Sequence, residues 1–138
     1  MFIEDLFIGQ SAETSKTLTQ KDIEMFAELS GDHNPVHLDA AFAAGTQFKG
    51  IIAHGMLSAS FISGILGTSL PGTGAIIMGM TLKFLAPVRP GDTVRTVVTV
   101  REIIAEKRRV ICQTACYVGT NQVIDGEAML QVPTGAHR

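Results

Sequence analysis

The run Met56-Leu57-Ser58-Ala59-Ser60-Phe61-Ile62-Ser63-Gly64-Ile65-Leu66-Gly67-Thr68-Ser69-Leu70 settles the architecture of this chain. Wound as a helix, it carries Leu57, Ala59, Phe61, Ile62, Ile65, Leu66 and Leu70 nearly all round, the pattern of a helix enclosed by other structure. A membrane span is the competing reading, because no Asp, Glu, Lys or Arg occurs from Gly50 to Leu82. The run is too short for that: a bilayer asks for roughly 20 consecutive apolar residues, and Ser58, Ser60, Ser63 and Ser69 interrupt this one. A buried core helix is therefore expected, ended by Pro71-Gly72-Thr73-Gly74.

On the carboxyl side the periodicity changes to strands, expected at 75–85, 93–104, 108–118 and 123–132. Val94, Thr96, Val98 and Val100 alternate with Arg95, Val97, Thr99 and Arg101, as a sheet with one covered face requires. Short turns at Pro90-Gly91-Asp92 and Gly119-Thr120-Asn121 imply antiparallel pairing of consecutive strands. On the amino side, after an irregular or strand-like start, Thr19 is placed to cap a helix with Asp22 in its first turn. Ile23, Phe26, Ala27 and Leu29 supply its apolar face, and Gly31 its end. Asp32-His33-Asn34-Pro35 reads as a turn, since Asp and Asn favour local side-chain hydrogen bonds and proline holds Asn34 extended. Asp39 can cap a short helix over 40–44. The sum is an α+β fold, an antiparallel sheet curled around one long apolar helix.

The whole chain, 1–138, is expected to form a single domain, and 46% hydrophobic residues give it material for a core. Only 17% of residues are charged and mean hydropathy is positive, which points to apolar surface covered by a second subunit. A net charge of -2 gives no electrostatic reason to bind nucleic acid or an anionic membrane. Cys112 and Cys116, if they share a strand, lie roughly 13 Å apart at about 3.3 Å per residue, too far for a disulfide. Free core thiols in a reducing, cytoplasmic setting are expected. The opening Met1-Phe2-Ile3-Glu4-Asp5 has acids where a secretory signal has bases.

Asp32 and His37 flank the proline-stiffened turn, so their side chains can converge on one water molecule. Adding water across an activated double bond needs a base to take a proton from water as its oxygen attacks one carbon, and an acid to protonate the other. Histidine titrates near neutrality and a carboxyl is tunable by burial, so either residue suits either role. Taken alone, Asp32 is an ordinary turn residue and Asn34 another. Where a carbonyl activates the double bond, negative charge gathers on its oxygen and calls for fixed donors. Gly55, at the start of the core helix, offers an unpaired N-H and the positive end of the helix dipole, and its missing side chain gives a substrate room. Ser58 lies one turn further, where it is placed to line the same site, although a helix serine is more often a bystander. His33 is read as solvated. A metal held by Asp32, His33, His37 and His54 is the weaker reading, since no HExxH or paired His-Cys spacing occurs and this hydration needs no Lewis acid. Lys107-Arg108-Arg109, at an expected hairpin tip, reads first as a solvated turn and second as a contact for coenzyme A phosphates or an acidic carrier protein.

The segment Phe26-Ala27-Glu28-Leu29-Ser30-Gly31-Asp32-His33-Asn34-Pro35-Val36-His37, with Ala43 six residues on, resembles the hydratase motif of the MaoC-like hotdog family, and Ala53-His54-Gly55-Met56 follows in the family's order. The similarity runs over most of the chain and is closest to single-domain (R)-specific enoyl-CoA hydratases that feed polyhydroxyalkanoate synthesis. It implies a hotdog homodimer that hydrates 2-enoyl-CoA with Asp32 and His37 as the catalytic pair, no metal and no cofactor. It also implies Gly55 N-H as the oxyanion donor, with Asn34 and Pro35 bracing the loop. The same residues would serve a (3R)-hydroxyacyl-acyl-carrier-protein dehydratase. The Asp32-x-Asn34-Pro35-x-His37 pattern speaks against a hotdog thioesterase and against a non-catalytic acyl-binding module.

Overall fold

The computed structural model describes residues 1–135 of the expected 1–138 domain. The strand-like start is β1, Ser11–Thr17. Helix α1, Gln20–Ser30, begins where expected: the Asp22 N-H donates to the Thr19 hydroxyl at 3.1 Å and the Thr19 N-H to the Asp22 carboxylate at 2.9 Å, a reciprocal cap worth about 1 kcal/mol. Its buried face is Ile23 and Ala27, with Phe26 half-buried. Leu29, expected on that face, is 88% exposed. At about 100° per residue it stands well round the helix from Ile23. Gly31 ends the helix at φ 80°, a left-handed conformation that glycine adopts without steric cost.

Two short helices follow, α2 at Pro35–Leu38 and α3 at Ala40–Ala44, the second capped by Asp39 through the Phe42 N-H. The core helix α4 runs Gly55–Thr68, ending two residues before the expected Leu70. Strands β2 (Ile76–Phe84), β3 (Thr93–Ile104), β4 (Arg109–Val118) and β5 (Asn121–Gln131) lie close to their expected bounds. All five strands form one antiparallel sheet in the order β1-β3-β4-β5-β2.

Two expectations fail instructively. Consecutive strands pair at β3-β4 and β4-β5, but β2 pairs with β5, not with β3. Residues 85–92 are therefore a crossover rather than a hairpin turn, and the Gly91 N-H bonds the Leu18 carbonyl at 2.7 Å. Nor is α4 enclosed all round. Leu57, Ser58, Ala59, Ile62, Ile65 and Leu66 are buried, whereas Met56, Ser60, Ser63, Gly64 and Gly67 face out. One sheet covers one side of a helix. Its covered side meets Val94, Val98 and Val100 of β3 with Val110, Cys112 and Cys116 of β4 in a common core, where truncating a residue such as Ile62 to Ala would cost about 2–5 kcal/mol.

The segment before α4 is stitched from both sides. The Ile52 N-H donates to Val36 O at 3.3 Å and the Ala53 N-H to Val88 O at 2.7 Å. Arg89 adds its guanidinium to the carbonyls of Phe48 and Ile51. The α2 turn, the start of α4 and the crossover after β2 are thus held together.

Candidate active site

The site is built on the turn after Gly31. The Asp32 N-H donates to Ser30 Oγ at 3.1 Å, the Asn34 N-H to Asp32 Oδ1 at 3.1 Å, and the Val36 N-H to Asn34 Oδ1 at 3.2 Å. Asn34 is the N-cap of α2 and Pro35 its first residue, where a missing N-H costs nothing. The expected turn thus closes at Asn34, and Pro35 opens a single helical turn that carries His37 inward. His37 is buried, Asp32 is exposed rather than buried, and His33 is exposed, with its Nε2 4.0 Å from Glu28.

His37 and His54 each commit one ring nitrogen to a backbone carbonyl. His37 Nδ1 lies 2.7 Å from Ile52 O and His54 Nε2 lies 3.0 Å from Asp32 O. A carbonyl only accepts, so both nitrogens carry hydrogen, and neutral His37 keeps its lone pair on Nε2. The rings stack with centroids 3.9 Å apart at 31°. Burial pushes the His54 pKa below its usual range, opposed by the hydrogen bond to Asp32. Asp32, His37 and His54 offer ligand-type atoms all within 4.8 Å of one another, so this is where a divalent ion would fit among the described residues. The same spacing suits a single water held between carboxylate and imidazole, since two hydrogen bonds of about 2.8 Å span up to about 5.6 Å.

His37, Gly55 and Ser58 line a cavity of about 410 Å³ whose other walls are apolar, among them Phe48, Ile52, Met56, Phe84, Pro87 and Ile124. Asp32 is not in its wall but stands beside His37. Gly55 is the first residue of α4, so its N-H has no intrahelical acceptor. The room left by its missing side chain is not open, however: a Cβ there would lie 2.6 Å from the Phe84 ring. Any side chain at 55 would have to displace the half-exposed Phe84 ring. Ser58 is buried and its hydroxyl has no partner among the described residues, so it is a polar atom held in readiness in an apolar wall.

Outside the site, Cys112 and Cys116 are free and buried on β4. Burial raises both thiols, Cys112 to about 11, which makes them inert core residues. Lys107 and Arg108 lie at the exposed β3-β4 tip, where Arg109 pairs with Gln131. Ile124 of the cavity pairs with Cys116 at the other end of β4. That is about 23 Å away at roughly 3.3 Å per residue, so within one chain the basic tip does not reach the cavity. Sequence reasoning gave His54 only the weaker metal reading and a place in the family pattern, and gave Phe84 no role. The signal for His54 was its place directly before the helix-opening glycine; for Phe84 there was none, because its neighbour Gly55 is remote in sequence.

An antiparallel sheet curled over one apolar helix, with an Asp-His turn beside the helix start, defines the α+β hotdog class. The chain belongs to the MaoC-like domain family, whose model matches residues 7–126. It is similar to an (R)-specific enoyl-CoA hydratase of Rhodospirillum rubrum, 52% identical over 96% of this chain and 92% of that one. A 3-hydroxybutyryl-CoA dehydratase of Methylorubrum extorquens is 47% identical over 96% and 85%. Among solved structures, the (R)-hydratase of Aeromonas caviae involved in polyhydroxyalkanoate biosynthesis superposes with a TM-score of 0.91 at 42% identity, over 94% of this chain and 99% of that one. No helix among the described residues is long and apolar enough to cross a membrane.

Proposed function

We propose that this chain is a hydro-lyase that reversibly hydrates trans-2-enoyl-CoA to (R)-3-hydroxyacyl-CoA. The observation that carries the reading is the 4.8 Å grouping of Asp32 and His37 beside an apolar cavity that also holds the start of α4. One of the pair takes a proton from water as its oxygen bonds to C3, the other gives a proton to C2, and the water is consumed whole. The Gly55 N-H holds the thioester oxygen while negative charge develops there, and Asn34 and Pro35 keep the turn in shape. Ser58 lines the acyl path. The named activities of the Rhodospirillum and Methylorubrum relatives are the two directions of this one chemistry. No cofactor enters the reaction. The substrate is a soluble coenzyme A thioester, which suits a cytoplasmic enzyme supplying hydroxyacyl monomers. The working form is a homodimer: Ile76, Phe84 and Leu85 are exposed on or beside the edge strand β2, whose outer side has no partner strand among the described residues.

The test is loss of the enoyl thioester absorbance with crotonyl-CoA and longer 2-enoyl-CoAs, with a thiol reagent in parallel and chiral analysis of the product. Absorbance loss without thiol release, an (R)-product and a rate unaffected by chelator are expected. Released thiol would make the chain a thioesterase. Turnover confined to acyl-carrier-protein thioesters would move the proposal to a fatty-acid dehydratase.

A further inference from the structure

We propose that His54 is a positioning residue for this reaction: a neutral imidazole, protonated on Nε2, that holds the Asp32 backbone and the His37 ring together and sets both against the helix start. The proposal deepens the hydratase reading and rests on it. His54 is 2% exposed, and its Nδ1 has no hydrogen-bond partner among the described residues. A second proton there would leave an unpaired cation in the core, so burial favours the neutral ring. With Nε2-H spent on Asp32 O at 3.0 Å, the tautomer is fixed. The faces of the ring are used as well: His37 packs on it at 3.9 Å between centroids, tilted by 31°, and Phe26 meets it at 4.8 Å.

The consequence is that four consecutive residues register every group the reaction uses. Ile52 O orients His37 through Nδ1 at 2.7 Å, His54 orients Asp32 and stacks on His37, and Gly55 carries the unpaired N-H. Ala53 ties the segment to Val88 at 2.7 Å. Asp32 has particular need of this, being exposed and, among the described residues, otherwise held by bonds within its own turn. A catalytic group displaced by about 1 Å loses on the order of 10²-fold in rate, so a residue that touches no substrate can still control turnover.

Three variants separate the two contacts. His54→Gln keeps an amide N-H near the Nε2 position but has no ring, His54→Phe keeps a ring without a donor, and His54→Leu has neither. The expected result is that His54→Leu lowers kcat by about 10-fold to 10²-fold with KM within about threefold, and that Gln and Phe each restore part of the loss. A ring ¹⁵N spectrum of the wild type should show His54 protonated on Nε2 and bare on Nδ1. A merely structural role would lower thermal stability in all three while leaving kcat of the folded protein unchanged. If His54→Leu does not fold, the Gln and Phe variants decide by the same comparison. Near-normal kcat in a folded variant lacking the ring or the donor, or a proton on Nδ1, would overturn the proposal. A wild type inactive on every enoyl thioester would instead overturn the hydratase reading, which keeps the two failures apart.

Discussion

The site has two sides built on opposite principles, a polar wall that meets the cavity only through His37 and an apolar wall that lines it. On one side Asp32, His37 and His54 come from a turn, a one-turn helix and a helix cap, and both rings and the aspartate turn are tied by hydrogen bonds within the chain. On the other side Phe84 to Pro87 leave the edge of the sheet, with Phe84 and Leu85 half-exposed. The polar wall is finished inside one chain, whereas the apolar wall stays open toward solvent. Catalytic groups need sub-ångström placement, and short local bonds supply it. An acyl chain needs only apolar area, which a sheet edge and a second copy can provide together.

The sharpest way to break the contrast is to remove one member of the polar wall. Asp32→Asn and His37→Ala are each expected to lower turnover by about 10²-fold to 10⁴-fold, the range for loss of general acid or base help. Both proteins should keep their fold. The amide oxygen introduced by Asp32→Asn can still accept the Asn34 N-H, and His37 lies at the cavity rather than in the central core. Saturation kinetics on purified variants with matched melting curves check this, and near-normal turnover in either would remove that residue from the mechanism.

How much of this was legible in the sequence follows the same division. The polar wall is local: Thr19, Gly31 and Asn34 act where the pattern put them, whereas Pro35, read as part of the turn, opens a one-turn helix that the pattern did not announce. Strands β3, β4 and β5 were legible because alternation and short turns are also local. The place of β2 was not, because choosing β5 over β3 as its neighbour is a long-range decision that a Pro-Gly turn at 90–91 cannot announce. Gly55 shows the limit most clearly. Its missing side chain reads as room for substrate until Phe84, 29 positions away, is seen to occupy it.

That contact changes how the oxyanion donor must be tested. Gly55→Pro deletes the N-H at a position where proline is tolerated, and His54 already has the extended conformation, φ -60° and ψ 132°, that a following proline requires. Proline also brings a Cβ into the Phe84 ring, so the single variant confounds two effects. The clean comparison is Gly55→Pro against wild-type Gly55, both in a Phe84→Ala background. Loss of one donor is expected to cost on the order of 10²-fold to 10³-fold in kcat beyond the background. A difference below about threefold would reduce Gly55 to a turn glycine that fits Phe84.

The apolar wall is tested through assembly. Ile76, 60% exposed at the start of β2, pairs inward with Gln131 and has no neighbouring strand on its other side among the described residues. Ile76→Lys places a charge on that edge, as single-chain proteins do to keep edges apart. Sedimentation at micromolar concentration should show a wild-type dimer and a weakened one in the variant. A fully active wild-type monomer would mean that the edge is simply exposed.

The smallest expected effect is on stability against pH, and it comes from the best-finished part of the polar wall. Burial lowers the His54 pKa in the folded state from the ordinary 6.5. Well above 6.5 the ring is neutral whether the chain is folded or not, and it contributes no pH dependence. Below 6.5 the unfolded chain binds a proton that the folded chain refuses, so stability falls as pH drops and stops falling once the folded ring also protonates. The wild type should therefore lose a few degrees of melting temperature between about pH 7 and pH 5 relative to His54→Gln, which has no group to titrate there. Groups that do not interact with His54 contribute equally to both proteins and cancel in the difference, while His37, Asp32 and His33 act on the His54 charge. Repeating the comparison in a His37→Gln background removes the contribution of the stacked ring. Parallel melting curves for the two proteins in that background would mean that His54 is protonated without penalty, and that the polar wall is less tightly closed than its hydrogen bonds imply.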